Sequence, residues 1–127
     1  MVKIICEEDC GNAPKKLFLN DVSIAFAKGD AVFILDNVAD DICWNIVGKE
    51  LIERKDGVAE KLKQMKEEKT AEFFIESIST HGATGAVNGT RRLESGETYG
   101  FCDVYRFSST RNYAKISKIT SYVIAIS

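Results

Sequence analysis

The sequence contains few residues that break or cross-link a chain. It has one proline and nine glycines among 127 residues, with 45% hydrophobic and 28% charged residues. These proportions are typical of a globular domain and argue against a disordered or linker-rich chain. A chain of this length can bury a real core. We therefore predict a single domain over residues 1–127, with residues 1–13 as an N-terminal arm.

Long apolar runs and basic patches are also missing. No stretch approaches the roughly 20 apolar residues that span a bilayer. Acidic residues appear within residues 1–10, which is unlike a secretory signal. The formal net charge of -2 does not favour nucleic acid. We therefore expect a cytoplasmic protein that binds neither nucleic acid nor membrane.

Metal-ligating residues are scarce. His81 is the one histidine, and there are four cysteines. The spacing of Cys6 and Cys10 could serve a metal, but no second Cys/His pair completes a site. In a reducing compartment all four cysteines are expected to be free thiols. A redox or dimer-linking role for Cys6 and Cys10 remains an alternative, and we expect no metal and no cofactor.

Helical spacing dominates the first half of the chain. Apolar residues recur at helical intervals over residues 15–28, after a proline that suits a first helical turn. Asp30 can cap a short second helix, residues 31–36, and Asp56 can cap a third, residues 57–68. The expected buried side chains include Leu17 and Ile24 in the first helix and Val32, Phe33 and Leu35 in the second.

The apolar period then changes to two, which is typical of strands. Residues 39–41 are predicted to form a turn and residues 48–56 a charged connection. A change of parity predicts a bulge near Ser117 and Lys118, and Gly85 and Gly89 indicate a bulge or close packing. The predicted strands are 41–47, 71–79, 83–91, 97–108 and 113–126.

Helices followed by consecutive strands predict an α+β fold. The long strands must twist and curl. We expect a curved, mostly antiparallel sheet wrapped around the helices to form a cone with an internal pocket, where ligand sites commonly lie.

The strand over residues 97–108 carries the most informative pattern. Successive side chains of a strand point to opposite faces, so Phe101, Asp103, Tyr105 and Phe107 share one face. A carboxylate among aromatic rings is either a costly buried group or a functional one. As a structural acid, Asp103 would bond a neighbouring hydroxyl, such as that of Tyr105 or Ser121, or the backbone.

Four segments form a recognisable series. They read Ala-Lys-Gly-Asp at 27–30, Val-Ala-Asp-Asp-Ile-Cys-Trp at 38–44, Asp-Val-Tyr-Arg-Phe at 103–107 and Ile-Thr-Ser-Tyr at 119–122. In this order and spacing they resemble the SnoaL-like and ketosteroid-isomerase-like branch of the nuclear transport factor 2-like superfamily, which has a cystatin-like cone fold. The resemblance covers about residues 14–126 and implies a homodimer that uses the outer sheet face.

The resemblance matches Asp103 to the protonated aspartate of the ketosteroid isomerase oxyanion hole. The position of the general base of that enzyme falls near Ile46, and the position of its tyrosine falls near Val22. Both residues are apolar, so steroid isomerase activity is not implied. Other members use an Asp/His pair for dehydration or a single Asp for aldol cyclisation. His81 could join Asp103 only if its bend faces the pocket; otherwise it is an exposed turn residue.

Two classes of function follow from these observations. The first is an enzyme, an isomerase, dehydratase, hydrolase or cyclase that acts through Asp103 on a small, largely apolar molecule. The second is a homodimer of the same fold that binds a ligand or a protein without chemistry. Trp44 and Tyr105 would serve core packing in either case. The residues expected to line the pocket are Trp44, Ile46, Val22, Phe26, Phe101, Tyr105 and Ser121.

Overall fold

The computed structural model describes residues 2–6, 14–111 and 114–126. These residues form three helices and seven strands, which confirms the α+β class. The helices are α1 (Pro14–Lys28), α2 (Ala31–Asp36) and α3 (Arg54–Met65). The strands are β1 (Lys3–Cys6), β2 (Val38–Ile46), β3 (Glu50–Glu53), β4 (Thr70–His81), β5 (Thr84–Leu93), β6 (Thr98–Phe107) and β7 (Ile116–Ala125).

The strands form one mixed sheet in the order β1-β4-β5-β6-β7-β2-β3. Strands β4 to β7 are an antiparallel meander, whereas β1 is parallel to β4 and β2 is parallel to β7. The sheet curves without closing, and α1 packs against β4 and β5. Fully buried residues such as Leu19 on α1 and Val87 on β5 form the core between helix and sheet. The predicted curved, mostly antiparallel sheet around helices is therefore confirmed.

The first two helices begin and end where the sequence predicts. Gly29 ends α1 with a φ of 73°, a left-handed conformation that glycine adopts without steric cost. The Asp30 carboxylate accepts a hydrogen bond of 3.2 Å from the backbone N–H of Phe33. This bond satisfies one of the free donors at the start of α2.

The expected buried faces of these two helices are partly wrong. The side chains of Leu17 and Val32 are 51% and 72% exposed, whereas Ile34 is 1% exposed. A helix of two turns presents few positions to the core, so the apolar pattern of α2 is too short to identify its buried face. Ile34 is the one α2 residue in the buried core.

The segment between β2 and α3 also differs from the prediction. Strand β2 begins at Val38, so residues 39–41 are part of a strand and the predicted turn is wrong. Asp40 and Asp41 are exposed on this strand. Residues 47–49 form a turn that leads into β3, and α3 begins at Arg54. Asp56 therefore lies inside the first turn of α3 and is not its cap.

The predicted irregularity of the last strand is confirmed. Arg106 pairs with Lys118, whereas Phe107 pairs with Ile116, so Ser117 is an extra residue in β7. This is the arrangement of a β-bulge, which bends the strand that carries it and increases its twist. Residues 112–113, within the predicted last turn and strand, lie outside the described residues.

Strand β1 was not predicted, because the sequence gives residues 1–13 no clear period. It pairs with β4 in parallel, with Ile4 beside Phe73. Cys10 lies outside the described residues, and only the backbone of Cys6 is described. The proposals for this cysteine pair therefore remain predictions.

The two strand glycines mark close packing, as expected. A Cβ atom at Gly89 would lie 1.9 Å from the carbonyl oxygen of Phe74, and one at Gly85 would lie 2.6 Å from a methyl carbon of Leu19. The ladder is irregular beside Gly89, where Glu76 is an extra residue on β4. Glycine at these two positions lets β4 and α1 approach β5 closely.

Candidate functional site

A cavity of about 250 Å³ lies between the concave face of the sheet, α1 and α3. Its interior is largely apolar and aromatic, and charged side chains contribute to its wall. The residues that line it are Ser23, Phe26, Ala27, Trp44, Ile46, Lys49, Lys61, Met65, Glu68, Phe73, Arg91, Tyr99, Phe101, Asp103, Tyr105, Ile119, Ser121 and Val123.

Asp103 lies in the middle of the sheet. It pairs with Val87 on β5 and with Ser121 on β7, so protein surrounds its strand on both edges. Burial raises the pKa of its carboxyl group from 3.8 to about 6, although a hydrogen bond from Ser121 opposes this effect. Burial has this consequence because it disfavours the charged form. Asp103 therefore changes its charge within the pH range in which general acids and bases operate.

Ser121 connects Asp103 to Trp44. The indole Nε1–H of Trp44 donates a hydrogen bond of 2.9 Å to the Ser121 hydroxyl oxygen. The Ser121 hydroxyl in turn interacts with the Asp103 carboxyl group. Trp44 is 4% exposed, and its ring lies 5.4 Å from that of Phe26. This relay fixes both the tryptophan and the carboxyl group in the cavity wall.

Tyr105 places a second polar atom in the cavity. Its side chain is fully buried, and its hydroxyl has no hydrogen-bond partner of normal geometry within the described residues. The pKa of Tyr105 lies well above its usual value because of burial and the nearby Asp103, with a smaller opposing effect from Ser23. The hydroxyl is therefore protonated at neutral pH and available to donate a hydrogen bond.

The remaining wall changes from aromatic to charged. The rings of Phe73 and Phe101 stack with their centroids 5.1 Å apart and an angle of 13° between their planes. Arg91 and Tyr99 follow on the same face, since Arg91 pairs with both Phe73 and Tyr99 across the sheet. The wall is thus apolar near Phe101 and cationic near Arg91.

The structure brings most of the predicted site residues together. Val22 is buried in the core and does not line the cavity. His81 is exposed at the end of β4 and is not brought to the cavity with Asp103. The predicted residues that line the cavity are Phe26, Trp44, Ile46, Phe101, Asp103, Tyr105 and Ser121.

Sequence reasoning missed Ser23 and Arg91. Alternation along β5 could have identified Arg91. Its residue number is odd, as is that of Val87, so the two side chains lie on the same face of the strand. Ser23 had a weaker signal, since it follows Val22 on α1 and has a small polar side chain.

Neither a metal centre nor a membrane span was found in the part of the chain that the structure describes. No group of three or more His, Cys, Asp or Glu side chains there could hold a metal ion. No helix there is long and apolar enough to cross a membrane.

Comparison with known proteins identifies the fold. No protein-family model matches the sequence, and no curated protein matches it. Among solved structures, an NTF2-like protein of unknown function from Cytophaga hutchinsonii is similar with a TM-score of 0.69 and 23% identity, over 85% of this chain and 97% of that chain.

Two further similar structures carry the names of enzymes. An LEH-like epoxide hydrolase of M. tuberculosis is similar with a TM-score of 0.70 and 20% identity, over 87% of this chain and 83% of that chain. A Shewanella denitrificans protein named as a SnoaL-like polyketide cyclase has a TM-score of 0.74 and 11% identity, over 89% of this chain and 92% of that chain. The chain therefore has the cone fold of these NTF2-like and SnoaL-like structures.

Proposed function

We propose that the protein binds a small, largely apolar molecule in the cavity and transfers a proton to or from it through Asp103. The observation that carries this proposal is the position of Asp103, a partly buried carboxyl group whose pKa is raised to about 6 in the wall of an apolar cavity. Buried ionisable groups with perturbed pKa values concentrate at functional sites.

The size and lining of the cavity define the class of ligand. Drug-sized ligands occupy pockets of roughly 300–1,000 Å³, so a cavity of about 250 Å³ suits a smaller molecule. The aromatic wall favours an apolar body. Asp103 and the hydroxyl of Tyr105 favour one polar oxygen on that body, such as a carbonyl or hydroxyl group.

The proposed chemistry uses the two protonation states of Asp103. The ionised form accepts a proton from a carbon or a hydroxyl group of the ligand, and the Ser121 hydrogen bond favours this form. The neutral form donates a hydrogen bond to an oxygen that gains charge. Tyr105 offers a second donor for the same oxygen. Isomerases, dehydratases, hydrolases and cyclases all use such a step, and a hydrolase and a cyclase occur among the similar structures.

A binding protein without chemistry is the second candidate. It is favoured by Ile46 and Val22, which are apolar where the resemblance to ketosteroid isomerase would require a base and a tyrosine. Asp103 would then hold the ligand oxygen without accepting a proton. The same cavity and the same ligand class apply to both candidates.

Hydrogen exchange separates the two candidates without a known substrate. We would incubate small cyclic ketones with the protein in D2O and follow exchange of the protons beside the carbonyl group by NMR, with Trp44 fluorescence reporting binding. Proton transfer predicts exchange that increases as Asp103 ionises near pH 6 and that Asp103→Asn abolishes. Asp41→Asn, on an exposed residue, is the matched control. Binding without exchange would favour the second candidate.

We also propose that the protein is a homodimer through the outer face of the sheet. Three apolar side chains there are exposed, with Val104 at 39%, Tyr122 at 48% and Ile124 at 67%. Neighbouring Cys102, Arg106 and Thr120 complete a mixed surface on β6 and β7. Contiguous apolar surface of this kind is typical of an interface between two copies of a chain.

A further inference from the structure

We propose that the ligand of the cavity is an amphipathic monocarboxylic acid, and that Arg91 binds its carboxylate. This inference rests on the proposed function, because it assumes that the apolar body of the ligand occupies the cavity. It adds a second point of recognition at a distance from Asp103. This second contact defines the chemical class of the ligand.

In the described part of the chain, Arg91 is a fixed cation without an ion-pair partner. Its Nε–H donates a hydrogen bond of 2.8 Å to the hydroxyl of Thr70, which is 5% exposed. Its Nη2 donates a hydrogen bond of 3.2 Å to the backbone oxygen of Glu68. Within the described residues, no carboxylate oxygen lies within 4.0 Å of the guanidinium group.

The other charged groups near Arg91 favour a single negative charge on the ligand. Burial lowers the pKa of Arg91 more than the neighbouring Glu68 raises it, so the charged guanidinium is costly to bury and a bound anion would stabilise it. Lys49 also lines the cavity, whereas Lys61 is paired with Glu50 at 2.8 Å. Glu68 repels any anion, but it repels a dianion such as a phosphate more strongly than a monoanion. A carboxylate suits the remaining N–H groups, because arginine binds carboxylates with two parallel hydrogen bonds.

The sheet register sets the position of the carboxylate relative to Asp103. Arg91 pairs with Tyr99, and Val87 pairs with Asp103. The two positions are therefore four residues apart along the strands, which is roughly 13 Å between backbone positions. Both side chains line the cavity. Phe101 lies at the register between them, and its ring stacks on that of Phe73, which provides an apolar surface for the body of the ligand.

The test uses acids matched with neutral amides of the same shape. The probes are phenylacetate, 4-phenylbutyrate and 6-phenylhexanoate, each with its primary amide, and binding is measured by calorimetry and Trp44 fluorescence. We expect the best acid to bind at least about tenfold more tightly than its amide, a factor equal to about 1.4 kcal/mol. This preference should decrease as salt is added.

Arg91→Gln should reduce the affinity for the acid to that of the amide and leave amide binding unchanged. Arg91→Lys keeps the charge but loses the planar guanidinium that donates two parallel hydrogen bonds. This variant should retain only part of the preference for the acid. Arg92→Gln is the matched control, since Arg92 is exposed and on the opposite face of the same strand. Unchanged amide binding also shows that each variant is folded.

Equal affinity of the unmodified protein for acid and amide would overturn this inference and leave the cavity-binding proposal intact. A preference for the acid that survives in Arg91→Gln would also overturn it. If no acid and no amide of the series binds, both this inference and the proposed function are contradicted.

Discussion

The indole nitrogen of Trp44 lies 2.9 Å from the hydroxyl oxygen of Ser121, and this serine also bonds the carboxyl group of Asp103. The three side chains come from β2, β7 and β6, which are consecutive in the sheet though not in the chain. One small hydroxyl thus accepts a hydrogen bond from a buried donor and opposes the rise in the pKa of a partly buried acid. Since unpaired polar groups are costly in an apolar interior, Ser121 is central to the site.

Replacing Ser121 with alanine tests this role. The Trp44 N–H would lose its acceptor, and we expect the free energy of unfolding to fall by about 1–3 kcal/mol. The pKa of Asp103 should rise above its value of about 6, because the lost hydrogen bond favours the ionised form. Urea unfolding measures the first effect and NMR the second. Ser79→Ala, on an exposed residue of β4, is the control. An unchanged Asp103 pKa in Ser121→Ala would refute the relay.

Gly89→Ala tests the close approach of β4 and β5. An added Cβ would overlap the Phe74 carbonyl oxygen at 1.9 Å, so strands must separate beside the cavity. We expect a loss of about 3 kcal/mol in urea unfolding, at the upper end for overpacked sites. In Gly100→Ala the nearest atom is a methyl carbon of Ile126 at 3.8 Å, so this control should change stability by less than about 0.5 kcal/mol. Similar losses in the two variants would show that β5 is less tightly packed than described.

The face pattern of β6 was predictable because it depends only on alternation along one strand. The parity of Phe101, Asp103 and Tyr105 alone placed them together, and the extra residue at Ser117 followed from a parity change. Features that depend on distant partners were not predictable. Strand β1 pairs with a distant part of the chain, with Lys3 beside Glu72 of β4, and no local pattern marks a strand of four residues. The position of His81 depends on where β4 ends, and strand ends are set by pairing.

Sedimentation tests the proposed homodimer. At tens of micromolar the protein should sediment as a dimer, and Tyr122→Lys should shift it towards the monomer by placing a charge in the apolar interface. Val32→Lys is the matched control, since Val32 is equally apolar and 72% exposed on α2, away from the sheet. A monomer in the unmodified protein, or equal behaviour of both variants, would reject the outer face as the interface.

The raised pKa of Asp103 predicts how stability depends on pH. The folded protein holds this proton more tightly than the unfolded chain, in which the pKa is near 3.8. The stabilisation is therefore complete below about pH 4 and is lost as the pH rises through about 6. The difference between 3.8 and about 6 corresponds to about 3 kcal/mol at most. Asp103→Asn lacks the titration, so it should be more stable than the unmodified protein at pH 7 but not at pH 4.

Thermal or urea unfolding of both proteins from pH 4 to pH 8 gives this difference directly. Asp41→Asn removes an exposed carboxylate and should follow the unmodified protein across the whole range. Parallel stability curves for Asp103→Asn and the unmodified protein would mean that the carboxyl group is as well solvated in the folded state as in the unfolded chain.

The most direct test of the proposed site is the titration of the Asp103 carboxyl carbon, followed by NMR in the unmodified protein and assigned with Asp103→Asn. We expect a pKa of about 6, raised by burial in the cavity wall and limited by the Ser121 hydrogen bond. A pKa near 3.8 would contradict the proposed role of Asp103, because a solvated carboxylate would be neither desolvated by the cavity wall nor suited to transfer a proton at neutral pH.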